Sequence, residues 1–232
     1  CAEISDKYGV PIHMHVNETA VEVSDSLRDH HERPIDRLKR LGLLNERLIA
    51  VHSVHASDED ITKMATAHAS VCHCPCSNLK LASGFAPIAK FLKAGINLGI
   101  GTDGAASNDK LDMLGETRLA AMLAKAVAQV FAMLEAATLG GARALRWDAD
   151  IGSLEIGKAA DLFAIDLGTP ESLPVADPAA QILYSAGREC ITHTWVDGRL
   201  IMEKHARAAY PQTDALAAAA LCAQKWQSRL KN

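Results

Sequence analysis

The sequence has no segment that is both long enough and apolar enough to cross a membrane. Its longest apolar run, residues 119–134, spans 16 residues and is interrupted by Lys125 and Gln129, whereas a membrane-spanning helix needs about 20 residues. It has no excess of basic residues, because the net charge is −4, and this argues against a nucleic-acid-binding protein. No signal-peptide pattern precedes the first segment. With 49% hydrophobic and 22% charged residues, the composition is typical of a globular protein with a sizeable core.

The six cysteines do not form the pattern of a disulfide framework. Three of them are crowded together as Cys72, Cys74 and Cys76, and this spacing also differs from the paired Cys-x2-4-Cys motifs of structural zinc sites. We therefore expect reduced thiols that pack as small hydrophobic side chains, in a cytoplasmic protein.

Short apolar runs alternate with amphipathic segments through the first two thirds of the chain. This alternation predicts parallel strands joined by helices. After residue 150 the pattern changes to short strands and turns, which predicts a β-rich subdomain over 151–232 with a final helix at 214–230. The predicted strands of the first domain, 1–150, are residues 10–16, 48–54, 70–76 and 96–101, and its helices include 18–31, 87–94 and 111–134.

Polar side chains capable of binding metal or transferring protons lie at the ends of these four strands. They are His15, His52, His73 and Asp103, with spacings of 37, 21 and 30 residues, each about one strand-helix unit. In an α/β barrel the carboxyl ends of the strands meet at one mouth, where catalytic sites lie. The set therefore predicts a metal-assisted active site, although a single histidine is more often a hydrogen-bonded core residue.

Two local patterns support this prediction. Glu18 follows His15 by three residues, which would place a carboxylate near a metal-bound substrate as a proton shuttle. Asp103 lies in the glycine-flanked turn Gly-Thr-Asp-Gly, where backbone and ligand can approach each other closely. His15 and Asp103 are only two metal ligands, a catalytic zinc needs three or more, and four strands cannot close a barrel of eight. We therefore expect the N-terminal half of the barrel to be absent from this chain.

The chain resembles the amidohydrolase superfamily, in particular its TRZ/ATZ branch and most closely the 5-methylthioadenosine/S-adenosylhomocysteine deaminases. The resemblance extends over essentially the whole chain, and the Ser-Asn-Leu-Lys-Leu and Gly-Thr-Asp-Gly segments are its most specific parts. It implies the C-terminal half of a metal-dependent (β/α)8 barrel followed by part of a β-sandwich. The segments that carry the resemblance are residues 13–19 (HMHVNET), 50–55 (AVHSVH), 73–84 (HCPCSNLKLASG), 101–108 (GTDGAASN) and 152–162 (GSLEIGKAADL).

The resemblance also implies a role for each site residue. His15 and Asp103 would be metal ligands, and one divalent ion per subunit is expected: zinc, with iron or manganese as alternatives. Glu18 would bind substrate and protonate the purine ring, His52 would hold the attacking hydroxide, and Asp103 would bind substrate and act as the base. His13 matches the spacing of a metal-binding His-x-His pair, but its neighbours match strand five of the barrel, so we leave it out of the ligand set.

The implied reaction is hydrolytic deamination of 5-methylthioadenosine or S-adenosylhomocysteine to the inosine analogue and ammonia. Alternatives with the same machinery are guanine deaminase, cytosine deaminase and a triazine-type hydrolase, and an alternative of another class is a non-catalytic fragment. The partner would be a small nucleoside or base rather than a nucleic acid or a membrane, and a homo-oligomer is expected. His55 is either a substrate contact or a packing residue, and a solvated basic helix face is predicted for Arg33, Arg37, Lys39 and Arg40.

Overall fold

A parallel four-stranded sheet forms the first part of the chain, as described by a computed structural model. The structure describes residues 1–124, 130–170, 172–203, 206–207, 217, 220–222 and 224. Neighbouring strands lie in sequence order and every pair is parallel. The strands are β1 (Ile12–Val16), β2 (Leu48–His52), β3 (Ser70–His73) and β4 (Leu98–Ile100).

Helices connect the strands and continue the chain after β4. The arrangement confirms the predicted alternation of strands and helices, and therefore the α/β class. The helices are α1 (Ala2–Tyr8), α2 (Ala20–His30), α3 (Pro34–Arg40), α4 (Asp58–Thr66), α5 (Pro75–Lys80), α6 (Ile88–Lys93), α7 (Met113–Leu123), α8 (Val130–Ala136), α9 (Leu139–Leu145) and α10 (Pro178–Tyr184).

Several predicted boundaries are wrong for identifiable reasons. The strand predicted over 70–76 ends at His73, because Pro75 occupies the first position of α5, where its fixed φ and missing N–H are tolerated. The helix predicted over 18–31 begins at Ala20, since the Thr19 side chain accepts a hydrogen bond from the Glu22 N–H and caps it. The segment predicted as one helix over 111–134 contains two helices, α7 and α8, and residues 125–129 between them lie outside the described residues.

A second sheet follows, as the change of pattern after residue 150 predicts. It is antiparallel and its strands lie in sequence order. The boundary predicted at residue 150 remains a prediction, and most of the helix predicted over 214–230 lies outside the described residues. The strands are β5 (Leu162–Ile165), β6 (Ile191–Val196), β7 (Arg199–Glu203) and β8 (Ala206–Arg207).

The hydrophobic core lies between the parallel sheet and its helices. Burial along β1 alternates: His13 and His15 are exposed, whereas Val16 is buried. The two histidines therefore lie on the sheet face opposite the helices. Within the described residues, no helix is long and apolar enough to span a membrane. The largest fully buried apolar side chains are Phe91, Ile35, Leu48, Met64, Met133 and Leu183.

Helix α9 approaches β4 closely because of a glycine. A Cβ atom at Gly140 would lie 2.1 Å from the Leu98 carbonyl oxygen, so only glycine permits this contact. The contact holds α9 against β4, and β4 is the strand that precedes the loop containing Asp103.

The predicted basic helix face is wrong at Arg33. The Arg33 guanidinium donates hydrogen bonds at 2.6 and 2.8 Å to Oδ2 of Asp60, whose side chain is fully buried. It also donates one to the His55 carbonyl oxygen at 2.8 Å. Arg33 therefore neutralises a buried carboxylate and supports the loop after β2, and it is not part of a solvated face.

Candidate metal centre

Four polar side chains converge at the carboxyl ends of the parallel strands. His15 Nε2 lies 3.7 Å from Asp103 Oδ1, and His52 Nε2 lies 3.9 Å from Asp103 Oδ2. Glu18 Oε1 lies 3.9 Å from the same His52 nitrogen. The imidazole rings of His15 and His52 are stacked, with centroids 5.1 Å apart. The structure thus brings together the four residues to which the resemblance assigns roles in the site.

Unusual backbone conformations shape this end of the sheet. Asn17, His52 and Asp103 have φ values of 52°, 69° and 61°, in the left-handed region that non-glycine residues adopt infrequently. The turns are tied to each other, since Asn17 O accepts a hydrogen bond from the His55 N–H at 2.9 Å. Such conformations persist where the surroundings impose them, and they are frequent at functional sites.

The backbone that carries Glu18 is held by the helix that follows it. Glu22 in α2 accepts hydrogen bonds from the backbone N–H groups of Asn17 at 2.9 Å and of Glu18 at 2.7 Å. Since the side chain of Thr19 caps the same helix, the segment between β1 and α2 is fixed at both ends. The Glu18 carboxylate therefore extends toward His52 from an anchored backbone.

The donor set fits a divalent transition metal. One ligand atom from each of His15, His52 and Asp103 lies within 4.8 Å of the other two. His52 is fully buried, and within the described residues its Nε2 atom has no hydrogen-bond partner. A buried nitrogen without a partner is costly unless something binds it, and two imidazoles with one carboxylate are typical zinc ligands. The structure thus makes His52 Nε2 a third atom able to contact a metal, beside the predicted ligands His15 and Asp103.

The carboxylate of Asp103 is kept ionised. Its Oδ2 atom accepts hydrogen bonds of 2.6 Å from the hydroxyls of both Ser77 and Ser107. Burial favours the protonated form of Asp103. The two serine hydrogen bonds oppose this effect, with further help from a hydrogen bond donated by the Gly104 backbone and from the nearby His52. Together they lower the pKa of Asp103 well below its usual range. Asp103 is therefore ionised at neutral pH and suited to bind a cation.

The orientation of His52 is set by an amide. Asn78 Oδ1 lies 2.7 Å from His52 Nδ1, and both side chains are buried. An amide oxygen can only accept, so His52 Nδ1 donates and its Nε2 lone pair is directed at Glu18 and Asp103.

His73 is not part of this group, although the sequence placed it at a strand end with the others. It is buried and lines a cavity of about 360 Å³ between residues 84–89, which include the start of α6, and the end of α7. Burial, with a smaller effect of nearby His52, lowers the pKa of His73 to about 4, so its ring is neutral at pH 7.

The remaining candidates have contacts of their own. His13 is exposed and lies outside the metal-capable group; a hydrogen bond with Cys72 raises its pKa. The Sγ atoms of Cys72 and Cys74 lie 4.0 Å apart. His55 Nε2 lies 2.8 Å from the Ser83 carbonyl oxygen, a contact within the fold.

Comparison with known proteins decides the family. Residues 1–201 match the Amidohydrolase family. The chain belongs to this family. It is 42% identical over 208 residues to a protein named 5-methylthioadenosine/S-adenosylhomocysteine deaminase from Caldanaerobacter subterraneus subsp. tengcongensis, covering 87% of this chain and 48% of that protein. The amidohydrolase chain therefore spans about half the length of the curated relatives it matches.

Solved structures confirm the amidohydrolase barrel fold. An adenosine deaminase from Xanthomonas campestris with bound zinc superimposes with a TM-score of 0.93 at 44% identity, over 99% of this chain and 53% of that chain. An atrazine chlorohydrolase from Arthrobacter aurescens TC1 complexed with zinc gives a TM-score of 0.90 at 28% identity, over 95% of this chain and 50% of that chain. The predicted class, half of an α/β barrel followed by strands of a second sheet, is thereby confirmed.

Sequence reasoning missed the residues that hold the site residues in place. Ser77 and Asn78 lie in the Cys-Ser-Asn-Leu-Lys-Leu motif, and Ser107 lies in the segment after Asp103. Their positions in those motifs were the available signal, but no spacing rule connects them with His52 or Asp103.

Proposed function

We propose that this chain supplies part of the metal centre and the proton-transferring side chains of a hydrolytic deaminase. The substrate is an adenosine derivative, 5-methylthioadenosine or S-adenosylhomocysteine, and the products are the inosine analogue and ammonia. The observation that carries the proposal is the position of two carboxylates, Glu18 and Asp103, each 3.9 Å from His52 Nε2. Hydrolysis of an amidine-like C–N bond requires one group that donates a proton and one that accepts a proton, and the pair supplies both. The named relatives support the substrate class.

The metal that the site would hold is zinc, with iron or manganese as alternatives. His15 and Asp103 are its proposed ligands, and His52 lies close enough to contact it or its water. When bound, the ion would lower the pKa of a water molecule so that hydroxide is available near neutral pH. Both named zinc-containing structural neighbours support one such site.

The side chains of this chain then handle the protons. Asp103, ionised because of Ser77 and Ser107, accepts a proton from the attacking water. Glu18 donates a proton to the ring nitrogen next to the carbon under attack, and the Nε2 face of His52 orients the oxygen nucleophile. The water oxygen bonds to the ring carbon, and the C–N bond breaks as the proton on Asp103 passes to the departing amine. The new hydroxyl returns a proton to Glu18 as ammonia leaves. Water and substrate are thereby converted to the inosine analogue and ammonia, with every proton accounted for.

The remaining ligands, the assembly, the location and the partners of the protein are proposed from the comparison with its relatives. Because the chain spans about half of its relatives' length, further metal ligands and most nucleoside contacts would come from residues outside it. We propose a cytoplasmic homo-oligomer whose partner is a small nucleoside, with no nucleic-acid or membrane partner.

The test is ammonia release from 5-methylthioadenosine by the full-length gene product, with metal analysis. We expect turnover that both Glu18→Gln and Asp103→Asn abolish, with zinc retained in Glu18→Gln and weakened in Asp103→Asn. A folded, zinc-loaded protein without turnover would refute the substrate, and guanine, cytosine and triazines would then be assayed. We expect residues 1–232 alone to be inactive, and activity of that fragment would contradict the proposed need for further ligands.

A further inference from the structure

A buried carboxylate outside the metal centre has no role in the reaction described above. Glu116 lies in the first turn of α7 and is 1% exposed. Within the described residues it forms no ion pair, so its charge is not neutralised by an arginine or lysine. An ionised group buried without a counter-charge is destabilising unless hydrogen bonds compensate. Its hydrogen bonds therefore indicate why a carboxylate occupies this position.

Each oxygen of Glu116 binds a different segment of the chain. Oε2 accepts a hydrogen bond from the backbone N–H of Cys76, in the first turn of α5, at 3.1 Å. Oε1 accepts one from Asn108 Nδ2 at 2.5 Å, in the loop between β4 and α7. The same Asn108 nitrogen donates to the Thr102 carbonyl oxygen at 2.8 Å. Asn108 Oδ1 accepts from the Leu111 N–H at 3.2 Å, so both ends of this loop are fixed through one side chain.

These two segments carry the groups that orient the reacting side chains. Helix α5 presents Ser77, which donates to Asp103, and Asn78, which accepts from His52. The loop presents Asp103 itself and Ser107. A shift of either segment would change the angle at which His52 Nε2 and the Asp103 carboxylate face each other.

We propose that Glu116 is a positioning residue that joins helix α5 to the loop after β4 and thereby sets the geometry of His52 and Asp103. The proposal rests on the proposed function, since it is for that reaction that the geometry matters. A bridge of this kind needs two acceptor oxygens. Glutamine has the same length but only one oxygen, so Glu116→Gln must lose one of the two contacts and the charge that strengthens both.

The experiment compares three variants of the full-length gene product, with and without zinc. Hydrogen–deuterium exchange is followed in residues 74–80 and 101–112, and zinc affinity and steady-state kinetics are measured beside it. Glu116→Gln is expected to accelerate exchange in both segments. Asn108→Ala removes the loop's contact with Glu116, together with the contacts of Asn108 with Thr102 and Leu111, but leaves the Cys76 contact of Glu116 in place. It is expected to accelerate exchange in 101–112 while 74–80 stays protected.

The control removes stability from the same helix without touching the bridge. The Asp112 side chain caps α7 by accepting from the Leu114 and Gly115 N–H groups. We expect Asp112→Ala to lower the melting temperature while leaving exchange in 74–80, zinc affinity and kcat near wild type. For Glu116→Gln we expect zinc affinity to fall by about tenfold and kcat by about 100-fold, with KM changed less than threefold.

The outcomes separate the two proposals. If Glu116→Gln matches Asp112→Ala in exchange, zinc affinity and kcat, the residue is structural only and the proposal is wrong. If exchange and zinc affinity change as expected but no nucleoside is deaminated by the wild type, the bridge stands and the proposed substrate is wrong. If Glu116→Gln does not fold, Asn108→Ala still decides, because an unchanged loop exchange and kcat in that variant would refute the bridge.

Discussion

The Nδ1 atom of His52 lies 2.7 Å from Oδ1 of Asn78, and the two buried side chains form a pair without access to solvent. The pair connects the end of β2 to helix α5, which is 26 residues away along the chain. Because the amide oxygen cannot donate, it selects the His52 tautomer whose Nε2 carries a lone pair toward the metal centre.

Replacing Asn78 should therefore impair the reaction more than the binding of substrate. We expect Asn78→Leu to lower kcat by about 10- to 100-fold, because His52 loses its fixed tautomer and a buried N–H loses its acceptor. Asn78→Asp is the matched control, since it keeps an acceptor oxygen at the same position, and it should retain more activity than Asn78→Leu. Steady-state kinetics at one pH measure both, and equal losses in the two variants would contradict the tautomer argument.

The hydrogen bonds that Ser77 and Ser107 donate to Asp103 should make a pH-dependent contribution to stability. The pKa of Asp103 is lowered in the fold, so its hydrogen bonds stabilise the protein above the ordinary carboxyl pKa of about 4, and this is lost as pH falls toward the folded value. We expect Ser77→Ala and Ser107→Ala each to cost about 1.5–3 kcal/mol at pH 7, as for hydrogen bonds to charged groups. Urea denaturation of the zinc-free protein should show the cost shrinking on the way to pH 3.

A third serine provides the control for that series. Ser83 is also buried, but within the described residues its hydroxyl has no hydrogen-bond partner. Ser83→Ala should therefore leave the unfolding free energy unchanged or slightly raised, with no dependence on pH between 3 and 7. A pH-independent loss in the Ser77 and Ser107 variants would show that their hydroxyls do not act through the Asp103 charge.

Much of the fold could be predicted because it depends on periodicity. Strands alternating with helices require a parallel sheet whatever the exact residues, and the order from β1 to β4 follows the chain. The ends of elements depend on single residues instead. The apolar run that begins at Ser70 continues past His73, so hydrophobicity alone extended the strand, whereas Pro75 begins a helix.

The site residues also fall into those that the sequence pattern predicts and those that it does not. His15, His52 and Asp103 could be found because each ends or follows a strand, and parallel strands bring their ends together. Asn78 and Glu116 could not be found by spacing, because Asn78 lies 26 residues from His52 and Glu116 lies 40 residues from Cys76. The same limit explains the error at Arg33, since only the structure shows that Asp60 is buried beside it.

Removing one partner of the Arg33–Asp60 pair should cause a large loss of stability. Arg33→Met leaves the Asp60 carboxylate buried without its counter-charge, and we expect a loss of about 3–5 kcal/mol in chemical denaturation. Arg40→Met is the control: Arg40 bonds Glu32 from an exposed position on the same helix, and such surface pairs contribute little. Similar losses in the two variants would show that burial of Asp60 does not set the cost.

Two adjacent glycines in α9 should respond in opposite directions to the same substitution. A Cβ at Gly140 would lie 2.1 Å from the Leu98 carbonyl oxygen, whereas at Gly141 the nearest atom, the Ala136 carbonyl oxygen, would be 4.0 Å away. Neither glycine has a positive φ, so alanine fits the backbone at both positions. Gly141→Ala should stabilise the protein by about 0.5–1 kcal/mol, because alanine favours the helix. Gly140→Ala should destabilise it, by about 1–3 kcal/mol, because the helix must move away from β4.

The displacement in Gly140→Ala should also reach the metal centre. Helix α9 packs on β4, and β4 leads directly into the turn that contains Asp103. We therefore expect weaker zinc binding in Gly140→Ala and unchanged zinc binding in Gly141→Ala, measured by competition with a chromogenic chelator. Unchanged zinc affinity in both variants, together with the stability difference, would mean that β4 absorbs the shift before it reaches Asp103. A stable Gly140→Ala protein would instead contradict the close approach of α9 to β4.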